Sequence, residues 1–232
     1  MIKIVSLLLL MISLNADEVY ATFNVVADKS ANLAFDASGI VRKVNTDISK
    51  QVKQGDILAV LENSDKEAML ESAKTTLKFA QRDYERQLKV KKLIDESKFD
   101  AYALKYEAAK NQLSLQQALF DKTFLKAPFD GMIFFKEIEV GDTVSGMMLK
   151  TVFKIQTQKK RNLILEFDQK YHNSVKVGQK FKYSIDGDKT LHDGVIAKIY
   201  PQVDVNNRKI KAEVEVLDFM VGLFGDGYIV TP

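Results

Sequence analysis

The stretch that decides the fold is residues 64–123, SDKEAMLESAKTTLKFAQRDYERQLKVKKLIDESKFDAYALKYEAAKNQLSLQQALFDKT. It contains neither glycine nor proline, and a run of this length without a helix breaker predicts long helices. Its seam positions recur three and four residues apart, which is the 3.5-residue period of a coiled coil. They are Leu70, Ala73, Leu77, Ala80, Tyr84, Gln87, Lys91 and Ile94, then Phe99, Tyr102, Tyr106, Ala109, Leu113, Gln116, Phe120 and Thr123.

Two start signals divide this stretch into two helices. Ser64 is followed three residues later by Glu67, which predicts a capping box, and Ser97 with Asp100 predicts a weaker one. The chain is therefore expected to reverse at residues 95–97. The sequence predicts an antiparallel helical hairpin over residues 63–123, with arms of about 45 Å.

The seam contains many alanines and polar residues, so it buries too little to form a globular core alone. The hairpin is therefore expected to project from the β segments on either side of it. These segments repeat each other, since Gly39 lies thirteen residues before Val52 and Gly131 lies thirteen before Val144. The repeat predicts one lipoyl-like β module in two halves, residues 31–62 and 124–157, interrupted by the hairpin.

From residue 158 to residue 232 several short strands alternate with turns, which predicts a small β-barrel. Residues 209–217 show the clearest alternation, with Ile210, Ala212, Val214 and Val216 on one face. Residues 17–30 are expected to add an N-terminal strand to this barrel. The predicted fold class is α+β, mainly β.

The first 16 residues have the pattern of a signal peptide. Lys3 supplies positive charge, residues 4–14 are apolar, and cleavage after Ala16 is expected. An uncleaved anchor or a buried strand remains the alternative. The apolar run is short for a membrane span, so the mature chain is expected to be exported.

Composition excludes several classes of function. The 232-residue chain has a net charge of +3 with both signs interspersed, which argues against nucleic-acid binding. It has no cysteine, so disulfides, thiolate metal sites and cysteine nucleophiles are excluded. His172 and His192 lie in different strand connections without the spacing of a metal-ligand pair. Met147-Met148 is expected to pack in the β module. No catalytic signature is present, so we expect no enzyme activity, no cofactor and no metal site.

Three groups of residues resemble the periplasmic adaptors, or membrane fusion proteins, of tripartite efflux pumps. Residues 39–41 with 52–59 resemble the first lipoyl half of that family, and residues 125–131 with 141–144 resemble the second. Residues 194–208 resemble its β-barrel, and the hairpin occupies the family's position.

The resemblance implies an adaptor that links an inner-membrane RND-type transporter to an outer-membrane channel for efflux of small toxic compounds. It implies a periplasmic location, association with the inner membrane through the transporter, and self-association into a ring, commonly a hexamer. It also implies that the hairpin tip contacts the channel, through Lys89, Leu93, Ile94 and Ser97. Lys89 stands where the family usually has arginine, and the interval from Leu93 to Ser97 is short.

Two other functions stay open. An adaptor of an ABC or type I secretion exporter would usually carry an N-terminal membrane helix, so the short N-terminus favours the RND-type pump. A lipoyl or biotinyl carrier would modify Lys66 at the tip of a β-turn. The capping pattern instead predicts that Lys66 lies in the first turn of a helix.

Overall fold

The structure, a computed structural model, describes residues 17–188 and 190–231. The predicted signal peptide lies outside these residues. The described chain divides into two compact units, one made of residues 17–29 and 157–231 and the other of residues 30–156. In this part of the chain no helix combines the length and the apolar character that a membrane crossing needs.

Fourteen strands, two α-helices and two single 3₁₀ turns form the described chain. The helices are α1 (Ser64–Lys89) and α2 (Glu96–Asp121), and the 3₁₀ turns are Lys91–Leu93 and Gln169–Tyr171. The strands are β1 (Glu18–Ala27), β2 (Ser30–Leu33), β3 (Gly39–Val44), β4 (Gln51–Val52), β5 (Ile57–Leu61), β6 (Phe124–Lys126), β7 (Gly131–Lys136), β8 (Thr143–Val144), β9 (Phe153–Gln156), β10 (Lys160–Asp168), β11 (Lys180–Ile185), β12 (His192–Val203), β13 (Lys209–Leu217) and β14 (Phe224–Val230).

The first unit is a closed antiparallel barrel with the strand order β1-β10-β13-β12-β11-β14. Its strands alternate buried and exposed residues, because successive side chains of a strand point to opposite faces. On β13 the buried residues include Ile210, Ala212 and Val214, as the alternation in the sequence predicts, while Val216 is half-buried. On β1 the buried residues are Val19, Ala21, Phe23 and Val25. The barrel predicted from the sequence is confirmed.

One strand runs further than its sequence indicates. Proline has no backbone N–H to donate to a sheet, so Pro201 in the sequence indicates the end of a strand. In the structure β12 continues through Pro201 to Val203. Its pairing with β13 shifts between Ile199 and Val203, and this irregularity accommodates the proline.

The second unit contains two four-stranded sheets, β2-β9-β7-β4 and β6-β5-β3-β8. The sequence repeat appears here as an exchange of partners between the two halves. Gly39 of the first half pairs with Val144 of the second, and Gly131 of the second half pairs with Val52 of the first. The two halves therefore form one β module that is split in sequence by the hairpin. Its core includes Leu58, Leu61, Ile133, Phe153 and Ile155.

The hairpin helices each have 26 residues, so each is about 39 Å long. They pack along the predicted seam, where Leu70, Ala73 and Ala80 of α1 and Phe99 and Ala109 of α2 are buried. Five buried residues over this length make a thin interface, and most of both helix surfaces is exposed.

The base of the hairpin is closed by a different interaction from the predicted capping box. Asn63, and not Ser64, is the N-cap of α1, and its side chain makes no cap hydrogen bond. The Asn63 amide instead donates to the Thr123 hydroxyl over 3.0 Å, and both residues are buried. The predicted capping box of Ser64 and Glu67 is therefore wrong, because Ser64 is already the first residue of the helix. The residue at the cap position, Asn63, instead joins the two ends of the hairpin.

Candidate functional site: the hairpin tip

The chain reverses earlier than the sequence predicts. Helix α1 ends at Lys89, a 3₁₀ turn follows at Lys91–Leu93, and Ile94 is extended. The reversal therefore lies at residues 90–95 and not at residues 95–97. Lys91 and Ile94, which the seam period assigned to α1, lie outside the helix.

Asp95 begins the second helix. Its carboxylate accepts hydrogen bonds from the backbone N–H of Ser97 over 2.9 Å and of Lys98 over 3.4 Å, and from the Ser97 hydroxyl. The bond from the Ser97 side chain and the backbone N–H donors hold the pKa of Asp95 below its usual range. Ser97 was expected to be the N-cap, and this is wrong: Asp95 takes that role and the Ser97 hydroxyl donates to it.

Aromatic rings close the seam beneath the turn. The Phe99 ring is buried and lies 5.6 Å, centroid to centroid, from the Tyr84 ring. Tyr84 in turn stacks on Tyr106, with centroids 5.2 Å apart and planes 10° apart. The Lys91 ammonium lies over the Phe99 ring, 4.4 Å from its centroid, a favourable cation–π geometry. The end of the coiled coil is thus filled without Leu93.

The four predicted contact residues differ in their environments. Leu93 is 84% exposed, Lys89 and Ser97 are exposed, and Ile94 is half-buried. Lys89 and Leu93 line one open cleft of about 530 Å³, which Ile94 and Ser97 do not line. The cleft is formed by Leu88, Lys89, Val90, Lys91, Lys92 and Leu93.

The cleft combines exposed apolar groups with positive charge. Leu88 is 48% exposed and Val90 is 39% exposed, so three large apolar side chains in this short segment contact solvent. Three lysines stand among them. Such a surface offers apolar contact area and a charge preference, and it contains no arrangement of groups for chemistry on a substrate.

The other candidate residues occupy ordinary positions. Lys66 lies in the first turn of α1, 2.6 Å from the Asp65 carboxylate, and not at a β-turn as a carrier lysine would. His192 stacks on Tyr183, with ring centroids 5.3 Å apart. Within residues 17–188 and 190–231 no three His, Asp or Glu side chains converge as metal ligands. Met147 and Met148 are exposed, so the expectation that they pack in the β module is wrong.

Comparison with known proteins supports the folds of the barrel and of the β module with its hairpin. The CzcB-like, barrel-sandwich hybrid domain family matches residues 29–156, more than half of the chain. The chain is 26% identical over 204 residues to the cobalt-zinc-cadmium resistance protein CzcB of Cupriavidus metallidurans, covering 81% of this chain and 39% of that protein. It therefore spans about two-fifths of the length of this relative.

Two solved structures share the fold at low sequence identity. One is a MacA–MexA chimeric protein that contains the Pseudomonas aeruginosa MexA α-hairpin domain, with a TM-score of 0.84 and 21% identity over 94% of this chain and 82% of that one. The other is the membrane fusion protein Spr0693 of Streptococcus pneumoniae R6, with a TM-score of 0.73 and 15% identity over 92% of this chain and 99% of that one.

A split β module that carries a helical hairpin, joined in sequence to a six-stranded barrel, is the fold that this chain shares with the membrane fusion protein Spr0693 and with the MacA–MexA chimeric protein. The chain belongs to the CzcB-like barrel-sandwich hybrid family.

Proposed function

We propose that this protein is the periplasmic adaptor that links an inner-membrane RND-type transporter to an outer-membrane channel. The observation that carries the proposal is the hairpin tip, where the apolar side chain of Leu93 is 84% exposed in the 3₁₀ turn between the two helices. Leu93 shares its cleft with the exposed Leu88 and Val90, and a contiguous apolar patch of this kind is typical of a protein contact. Membership of the CzcB-like family supports the same role.

The tip docks on the channel through Leu93, with Lys89 beside it in the same cleft. A helical tip with one projecting leucine suits insertion between two helices of a partner. The lysines around it favour a partner with carboxylates at the rim of its groove. Ile94 and Ser97 flank the docking cleft, and the Ser97 hydroxyl, which donates to Asp95, presents only its lone pairs to a partner.

The adaptor holds two membrane proteins together and carries out no chemistry, so the role needs neither a cofactor nor a catalytic residue.

Its cargo is proposed to be divalent metal cations, because the matched relative is named for resistance to cobalt, zinc and cadmium. The protein acts as a ring of several copies, a hexamer in the simplest case, around the path of the cargo.

The protein is proposed to reach the periplasm by its N-terminal signal and to associate with the inner membrane through the transporter. The mature protein from a periplasmic fraction should then begin at Asp17. A mature chain that retains Met1 would contradict cleavage at this position.

Cells that lack the gene test the cargo and the role together. We expect them to tolerate less cobalt, zinc or cadmium and to accumulate more of the metal, and the wild-type gene should restore both properties. Tolerance to bile salts serves as the comparison for a different cargo. Loss of bile-salt tolerance with unchanged metal tolerance would contradict the proposed cargo, and no change in any efflux would contradict the adaptor role.

A further inference from the structure

One end of the barrel is covered by two loops with their flanking strand residues, 168–180 and 203–209. It lies opposite the end from which the chain continues to residues 30–156, since β10 runs from Lys160 at that end to Asp168 at this one. The loops contact each other, because the backbone N–H of Gln169 donates to the Arg208 carbonyl over 3.0 Å. The longer loop also buries Val175 in the barrel core. Together the two loops form one surface, which we call the basic end.

The basic end concentrates positive charge. Its two segments contain five basic residues and two acidic residues, a net charge of +3, which is as much as the whole 232-residue chain carries. One of the basic residues, Lys209, lies 3.7 Å from the Glu166 carboxylate. The other four are exposed and have no carboxylate within ion-pair distance among the residues that the structure describes, and they are Lys170, Lys176, Lys180 and Arg208.

The acidic residues of the basic end are engaged by its own turns. The Asp168 carboxylate accepts a hydrogen bond from the backbone N–H of Lys170 over 2.9 Å, and the Asp204 carboxylate accepts one from the backbone N–H of Asn206 over 2.9 Å. Two further exposed carboxylates, Asp17 and Glu18, lie at the edge, where β1 begins. The lysine and arginine side chains are therefore the charged groups left without partners.

Each loop of the basic end also presents one apolar side chain to solvent. Val205 is 85% exposed and Val177 is 60% exposed. The turn that carries Val205 is closed by a hydrogen bond from the Arg208 N–H to the Asp204 carbonyl over 2.8 Å. Small apolar side chains at the tips of loops, with cations around them, match the two parts of a membrane surface, its acyl boundary and its phosphates.

We propose that the basic end binds the surface of an anionic phospholipid membrane directly. Charge complementarity favours a lipid surface over a protein, because the cores of protein interfaces are depleted of lysine and enriched in aromatic residues. The basic end has three exposed lysines, and its two most exposed apolar residues are valines on separate loops. This contact goes beyond the proposed association through the transporter and gives the barrel an attachment of its own.

The size of the effect follows from the number of free cations. A lysine or arginine near an anionic membrane surface contributes about fivefold in affinity, so three of them together contribute about 100-fold. The attraction is screened by salt. Val205 adds to the affinity when it enters the boundary between headgroups and acyl chains.

Sedimentation of the full-length purified protein with lipid vesicles tests the proposal. We expect the wild-type protein to bind vesicles of phosphatidylcholine mixed with phosphatidylglycerol, to leave vesicles of phosphatidylcholine alone, and to be released by added salt. The triple variant Lys176→Gln, Lys180→Gln, Arg208→Asn should bind the mixed vesicles about 100-fold more weakly. Asparagine is chosen at Arg208 because the backbone there has a φ of 57°, which asparagine tolerates. Val205→Thr, which keeps the shape of the side chain, should weaken binding several-fold.

A hairpin variant provides the matched control. Lys78→Gln, Lys98→Gln, Lys105→Gln removes the same charge from three exposed lysines of the hairpin and should bind the mixed vesicles like the wild type. All these proteins keep the same N-terminus, so a difference between them comes from the substituted residues. Equal weakening by the two triple variants, or equal binding to both kinds of vesicle, would overturn the proposal.

The same assay separates a lipid from a protein partner. A wild-type protein that binds neither kind of vesicle would overturn the proposal, and loss of metal efflux by the barrel variant would then assign the basic end to a protein. The purified system contains no transporter, so this failure would leave the adaptor role standing, and deletion of the gene tests that role separately.

Discussion

The Lys91 ammonium lies 4.4 Å from the centroid of the Phe99 ring, and the ring fills the end of the hairpin seam. Leu93, two residues further along the turn, projects into solvent. The tip thus separates a side chain that holds the two helices together from one that is free to bind a partner.

This separation predicts different effects of truncation at the two positions. Phe99→Ala should destabilise the hairpin by about 3 kcal/mol, because a buried ring is replaced by a cavity. Leu93→Ala should change stability by less than about 0.5 kcal/mol, because the side chain is exposed. Hydrogen exchange of helix amides near the tip measures both effects locally. Equal loss of protection in the two variants would show that Leu93 also supports the fold.

The Asp95 cap predicts a pH dependence of the tip. Because its pKa is lowered in the folded state, the cap stabilises α2 above the unfolded pKa of about 3.9, and this contribution is lost as pH falls through the native value. We expect amide protection at Ser97 and Lys98 to fall with acidification in that range. Asp95→Asn keeps a capping oxygen without the titrating charge, so its tip should be insensitive to pH there. A wild-type tip that is equally protected at pH 2 and pH 6 would contradict the assignment.

The repeat glycines are not equivalent, and this can be tested directly. A Cβ on Gly131 would lie 2.5 Å from the backbone oxygen of Gln156, while one on Gly39 would lie 3.4 Å from the Leu61 side chain. Gly131→Ala should therefore cost about 2–3 kcal/mol through overpacking, and Gly39→Ala should cost less than about 1 kcal/mol. Urea unfolding of the β module, followed by a β-specific signal, compares the two. A larger loss for Gly39→Ala would contradict the tighter backbone approach at Gly131.

The sequence predicts the architecture well because glycine spacing, strand alternation and a breaker-free heptad run are local signals. The exchange of Gly39 and Gly131 between partner strands is consistent with the repeat, although only the structure shows the pairing. The helix caps were predicted wrongly because a serine three residues before an acidic residue also occurs where a neighbouring residue takes the cap position. Asn63 is occupied by Thr123, which is distant in sequence, and Asp95 caps α2 more effectively than Ser97.

The hairpin was predicted correctly, but its turn was placed a few residues too late, for a similar reason. A heptad count continues through Lys91 and Ile94, but the helix ends at Lys89 because the chain must reverse before Asp95. The exposure of Met147 and Met148 was also missed. Apolar residues in a loop carry no periodicity that would separate a buried position from an exposed one.

The β module should fold without the hairpin. The two ends of the hairpin are joined by the Asn63–Thr123 hydrogen bond and by strand pairing of Val60 with Phe124. Replacing residues 64–122 by a short glycine-rich turn should remove most of the helical circular dichroism and leave a dispersed, β-type NMR spectrum. An unfolded chain would mean that the hairpin contributes to the fold of the module.

The central claim is that Leu93 contacts an outer-membrane channel, and site-specific photo-crosslinking in cells tests it most directly. A photoreactive residue at position 93 should give a covalent adduct with the outer-membrane channel of the export system, while the same residue at Tyr20, an exposed position on the barrel, should not. The Leu93→Asp variant should keep its helical circular dichroism and lose metal efflux. A photoreactive residue placed at position 89 should form the channel adduct in the wild-type background and lose it in the Leu93→Asp background. A stable Leu93→Asp protein with full efflux, or an adduct from position 20 and none from position 93, would contradict the account.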